Sequence, residues 1–250
     1  MRNAVRAEVL KLRTTRMFYG NALAALAFVP ISVTFAIQTA GTDGAGAALD
    51  TGEGVRNVLS AASSGTLLVL LIGIMMMAGE FRHNTATSTF LASPDRRRVV
   101  GAKLIASSIV GVALAFAASA LTLAIAVPWL ASKDVAVDLL SADVGLVILG
   151  AVAATALYAL VGVGVGSLIR NQTAAVAGAL VWALVVEGIV VGFLPEVGRW
   201  LPGGAVAALT SSITPEGGLL PMWGAALLFA TYGLAFAAAG TRFVVRRDVA

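Results

Sequence analysis

Residues 79–103 read GEFRHNTATSTFLASPDRRRVVGAK, a polar island between two long apolar runs. It holds the only histidine, His83, a turn signal at Ser93, Pro94 and Asp95, and three consecutive arginines, Arg96, Arg97 and Arg98. Asn84 and Thr85 are residue types that cap helices. A short helix is therefore expected from Thr85 to about Leu91, ending at the Ser-Pro-Asp break. The arginines open a second helix that runs through Lys103 into apolar sequence. Phe81, Phe90 and Leu91 stand as apolar knobs beside the basic residues. Membrane orientation alone would account for the arginines, but not for a capped helix carrying phenylalanines. The island is read as a surface that docks onto a soluble partner.

Outside the island, composition makes lipid the solvent. Of 250 residues, 59% are hydrophobic and 12% charged, half of the roughly 25% charged residues usual in soluble domains. Such a chain cannot hide its apolar surface in a soluble core. With no cysteine and one histidine, disulfides, thiolate chemistry and a His-rich metal site are excluded, and no metal site is expected. The net charge of +4 is read as membrane topology rather than nucleic-acid binding.

Working outward from the island, six apolar runs are expected to be membrane spans, at about 17–37, 60–78, 104–130, 144–169, 173–194 and 222–245. Each is near the roughly 20 residues that cross a bilayer core as a helix. The first is too long for a signal-peptide core and is read as retained, with Pro30 a kink site. Residues 38–59 read as a Gly/Ala/Asp-rich loop. Residues 1–16 place Val5, Val9 and Leu12 on one side of a helix with Arg2, Arg6 and Arg13 beside them. That pattern fits an amphipathic helix on an anionic leaflet, including Arg6, Glu8, Lys11 and Arg13. Residues 194–221 are Pro/Gly-rich yet apolar, which fits a re-entrant hairpin or an interfacial loop held by Trp200.

Fourteen of the seventeen Lys and Arg residues lie at the two termini, in the island and at Arg170. Eight of the thirteen acids lie on the other side. Positive-inside counting then places both termini and the island in the cytoplasm. The expected fold is an all-α membrane protein, a single transmembrane domain over residues 1–250. It has six spans, N-in/C-in, an interfacial N-terminal helix, a cytoplasmic coupling helix between spans two and three, and a re-entrant outer hairpin between spans five and six.

Gly162, Gly164 and Gly166 imitate a phosphate loop, but they lie inside an apolar helix with no preceding strand. Gly162 and Gly166, four apart, are read as a helix-packing face. The chain has no Walker sequence, so ATP must be bound elsewhere. Glu187 is the only ionisable residue well inside a span. It is either a contact in a translocation path or a buried carboxyl bonded to the segment that follows.

Together these features resemble the integral-membrane subunits of ABC-2-type transporters. The matching residues are Glu8 and Lys11 before span one, then Glu80, Phe81, Arg82, Thr85, Leu91, Pro94, the arginines and Lys103 after span two. Asn84 stands where the family often has glycine. The resemblance implies a permease of an ATP-driven exporter, not itself an enzyme, in a bacterial cell membrane. Two permease subunits, identical or similar, would pair with two ATPase subunits that hold ATP and Mg. No cofactor is expected on this chain, and no nucleic acid. Substrates would be amphiphilic: drugs, peptides or lipid-like molecules. ATPase coupling would fall to Glu80, Phe81, Arg82, Thr85, Phe90, Leu91, Pro94, Arg96, Arg97, Arg98 and Lys103. Two alternatives stand beside this reading: an ion-coupled secondary transporter, and a membrane binding or immunity protein that does not transport.

Overall fold

In a hydrocarbon solvent every backbone N–H and C=O must be satisfied within the segment, and long apolar runs therefore fold as helices. The computed structural model describes residues 1–42, 47–82, 96–169, 171–210 and 218–246, and at residues 96, 97, 241 and 243–246 the backbone alone. The described residues are mostly helical and contain no strand. The helices are α1 (Arg2–Arg13), α2 (Arg16–Thr39), α3 (Gly52–Leu59), α4 (Thr66–Arg82), α5 (Arg96–Ala131), α6 (Ala142–Leu168), α7 (Gln172–Val181), α8 (Glu187–Phe193), α9 (Pro195–Gly198), α10 (Pro202–Thr210) and α11 (Met222–Arg246). Among the described residues, six stretches are long and apolar enough to cross a membrane: Arg16–Thr39, Gly52–Arg82, Arg98–Ala131, Ala142–Leu168, Gln172–Phe193 and Met222–Gly240.

The expected loop at 38–59 is corrected at its end, where α3 runs straight into a 3-10 turn at Ser60–Ser63 and then into α4. Gly52 and Gly54 disguise this helix in the sequence. Thr51 caps it by accepting a hydrogen bond from the Gly54 N–H at 3.0 Å, and Glu53 lies in the first turn, where the helix dipole favours a negative charge. Val58 and Leu59 are buried against Val29 and Val33 of α2 and Val144 and Val147 of α6. The expected short helix at 85–91, the turn at 93–95 and the turn residue Arg170 lie outside the described residues.

α6 is the hub. It packs against α4, α5, α10 and α11. Its three alternating glycines explain how one helix fits so many neighbours. Residues four apart share a helix face, and residues two apart point nearly opposite ways. Gly162 and Gly166 face α4. A Cβ on Gly162 would run into the Leu70 carbonyl, one on Gly166 would lie 2.7 Å from the Ile74 carbonyl oxygen, and Gly73 of α4 approaches the Ala159 carbonyl in return. Gly164 faces α11, where a Cβ would sit 2.7 Å from the Phe236 Cβ. The core on this side joins Leu70 and Ile74, Tyr158, Leu209 and Phe229, with the Tyr158 and Phe229 rings 4.8 Å apart.

Span five is the exception to this close packing. α7 continues through one π-helical turn, Trp182–Val186, into α8. It meets the bundle mainly at α4, and little of its surface is covered. After it, α9 and α10 form a short helical pair, and α10 packs back onto α6 and α11.

The seam makes a direct prediction. Gly162→Leu forces α4 and α6 apart and lowers stability by roughly 1–3 kcal/mol or more. Gly145→Leu, on the same helix with open space around its Cβ position, stays within about 0.5 kcal/mol. Thermal unfolding of the two variants in lipid nanodiscs measures the contrast.

Candidate functional site

At the end of the bundle that carries α1, three helices converge on one lysine. Lys103 lies on α5, two turns after the arginines, and only 1% of it is exposed. An ammonium has three N–H donors and no acceptor. All three find partners: Glu8 Oε2 at 2.6 Å, Glu80 Oε1 at 2.8 Å and the Met76 carbonyl at 3.1 Å. Met76 and Glu80 stand one turn apart on α4, so one face of that helix offers both a carbonyl and a carboxylate. Glu8 comes from α1. Lys11, one turn further along α1, donates to Glu8 Oε1 at 2.8 Å and to Glu80 Oε1 at 2.9 Å. Glu8 and Glu80 are both buried, and the cluster of two acids and two lysines is neutral.

The local sequence explains why α1 settles here. Leu12 is buried with Ile72, Met76, Ala106 and Val110, and Val5 and Val9 pack at the edge of that group. Arg2, Arg6 and Arg13 are exposed on the other side, as is Leu10, which falls out of phase with the apolar stripe. Beside the cluster lies a cavity of about 460 Å³ that also touches Phe18, Met75 and Gln172. Gln172 begins α7 and is buried, and its Oε1 accepts no hydrogen bond among the described residues. It brings span five to the same site, and nothing in the Asn171-Gln172-Thr173 sequence signalled that.

The structure thus joins four sequence-predicted residues, Glu8, Lys11, Glu80 and Lys103. Phe81 is half-buried against Met77, Val100 and Val163, rather than standing clear as a knob. Arg6, Arg13, Arg82 and Arg98 are exposed around the rim. Arg96 and Arg97 lie in the first turn of α5, and their side chains are not described. Thr85, Phe90, Leu91 and Pro94 lie outside the described residues.

Glu187 is far from this cluster along the spans. It follows the π turn and is buried, and its Oε1 accepts the Gly203 N–H at 2.5 Å. Gly203 is in the first turn of α10, whose leading N–H groups lack helical partners, so the carboxyl caps that helix from outside. A Cβ on Gly203 would sit 2.8 Å from the same oxygen, and glycine is what admits the carboxyl.

A lysine buried with two carboxylates cannot lose one partner cheaply. Lys103→Met leaves Glu8 and Glu80 with Lys11 alone and costs roughly 3–5 kcal/mol. The charge-balanced quadruple variant Glu8→Gln, Lys11→Met, Glu80→Gln, Lys103→Met, which leaves no unpaired charge in the cluster, recovers most of that loss, and thermal unfolding reads both. A second expectation concerns pH. Burial works against the Lys11 charge, but its hydrogen bonds to Glu8 and Glu80 and the charges of both carboxylates outweigh it, holding the pKa above the ordinary 10.5. A raised folded-state pKa means a stabilisation complete below 10.5 and lost as pH rises through the folded-state value. The protection factor of residues 2–13, the exchange rate corrected for its intrinsic rise with pH, is therefore expected to hold across neutral pH and to fall only in strong alkali.

No curated protein matches the chain. A family model described as "ABC-2 family transporter protein" matches residues 4–211. The match takes in α1, the charge cluster and the first five apolar spans. The chain belongs to the ABC-2 family of transporter proteins.

Proposed function

We propose that the chain is the permease subunit of an ATP-driven exporter, working with a separate ATPase that carries ATP and Mg. Both termini and the 79–103 island would face the cytoplasm of a bacterial cell, by the distribution of Lys and Arg. The short helix expected at 85–91 would rest on the ATPase. The observation that carries this reading is the neutral cluster of Glu8, Lys11, Glu80 and Lys103. Glu80 and Lys103 stand at the two ends of the island, where it leaves α4 and enters α5. Tying both to α1 makes the base of the island one unit. A push on the island would then move α4 and α5 together instead of bending the loop. Two permeases, identical or similar, would share two ATPase subunits, and the cargo would be an amphiphile. α1, with its exposed arginines, would lie on the anionic inner leaflet.

The test is capture of the chain from native membranes in mild detergent, scored for a copurifying Walker-containing subunit and for ATP hydrolysis. Wild type is expected to bring down an ATPase. Charge reversal of Arg96, Arg97 and Arg98 to Glu, and separately Phe90→Asp, is expected to lose it, while the chain keeps its unfolding temperature. Capture of a folded chain with no nucleotide-hydrolysing partner refutes the proposal and leaves an ion-driven carrier or a non-transporting binding protein in its place.

A further inference from the structure

A second cavity lies where span five stands away from the hub. About 440 Å³ of partly open space lies between α4, α6, α7 and α11, bounded at one end by the start of α10. Its walls are apolar and aromatic, with Tyr158 of α6, Trp182 of the π turn, and Tyr232 and Phe236 of α11 among them. Among the described residues, the one charged side chain in the lining is Glu187. Tyr158 and Tyr232 both lie within electrostatic reach of that carboxyl.

Three features distinguish this place from an ordinary gap between helices. Glu187 is over nine-tenths buried and makes no ion pair among the described residues, unlike Glu8 and Glu80 in the cluster. Its one hydrogen bond among them, from Gly203, uses Oε1. Directly before it the helix takes a π turn, rare in general and frequently found at functional sites. The widened turn resets the phase of the helix between Trp182 and Glu187, both of which line the cavity. Tyr232 also donates to the Trp200 carbonyl at 2.6 Å, which fixes that ring in the wall.

We infer that this cavity binds a lipophilic cation, an apolar body with an ammonium-type charge set beside Glu187 and against the aromatic rings. The chemistry is complementary on each count. A carboxyl in an apolar cavity favours a cation over a neutral or anionic molecule, aromatic faces attract the same charge, and the remaining wall suits a hydrocarbon body. The inference rests on the permease reading, for which it names the substrate class.

The experiment uses the full chain in phosphatidylcholine nanodiscs with tetraphenylphosphonium as probe, measured by equilibrium dialysis with empty discs as baseline. Tetraphenylborate, the same shape with the opposite charge, is run in parallel. Wild type is expected to bind the cation saturably and the anion not at all. Glu187→Gln keeps an oxygen for the Gly203 N–H and is expected to weaken cation binding about tenfold or more. Trp182→Leu, which leaves Gly203 untouched, is expected to weaken it roughly threefold to tenfold. Unfolding temperatures of both variants monitor the fold. Absence of saturable binding, equal binding of the anion, or a folded Glu187→Gln variant that binds as wild type overturns the inference. Because no ATPase is needed, failure here with successful ATPase capture removes the cavity assignment alone.

Discussion

Three N–H bonds from one buried ammonium constrain everything at the α1 end of the bundle. The acceptors of Lys103 come from Glu8, Met76 and Glu80, on α1 and α4. No single helix could supply them, so three must meet. The magnitudes show what this arrangement is for. Desolvating each ion costs several kcal/mol even after relaxation, and the attraction between close pairs returns a similar amount. Net stability from the cluster is then small, and the apolar group around Leu12 and Ile72 does most of the holding. The ions contribute register. α1 cannot slide by a turn or roll on its apolar stripe without leaving a charge unpaired.

α4 carries that register into the bundle. The helix that presents Met76 and Glu80 at one end presents Leu70, Gly73 and Ile74 to the glycine face of α6 further along. Backbone against backbone leaves no flexible side chain to absorb a shift. On the permease reading, a displacement at Glu80 would pass to α6 through this backbone contact. Span five touches this train mainly where α7 meets α4. Among the described residues it is the least covered span, and it is also the one that carries the π turn and Glu187.

The spans were legible because the signal behind them is large. A run of some twenty apolar residues admits one fold in lipid, and the charges between runs separate the spans. α3 was not legible, because Gly52 and Gly54 lower helix propensity and the apolar residues Val55, Val58 and Leu59 are too few to show a period by themselves. Of the site, Glu8, Lys11, Glu80 and Lys103 are positions that the resemblance to ABC-2 permeases picks out. The sequence places them in two separate segments, an interfacial helix and a docking island. Pairing across 69 or 95 positions leaves no local trace in the sequence. Nor does a π turn, which interrupts the helical period for one turn within a uniformly apolar run. Gly203 likewise is one of many glycines in the sequence, and only the fold sets it against the Glu187 carboxyl.

The molecule holds its buried acids in two different ways, and the difference bears on their roles. Glu8 and Glu80 are compensated by full positive charges, so adding or removing an ion there disturbs the joint between helices. Glu187 is compensated by one backbone N–H and the end of a nine-residue helix, a partial charge only. Its electrostatic demand is met in part, and the space next to it is apolar and aromatic. A carboxyl whose only task was to cap α10 would need no cavity of about 440 Å³ at its side, and a cavity filled only by lipid tails would need no carboxyl. The two together make sense for an occupant that carries a charge opposite to Glu187 and is otherwise greasy. Its arrival or departure would act on the N-terminus of α10 and on the loosely packed span five at the same time.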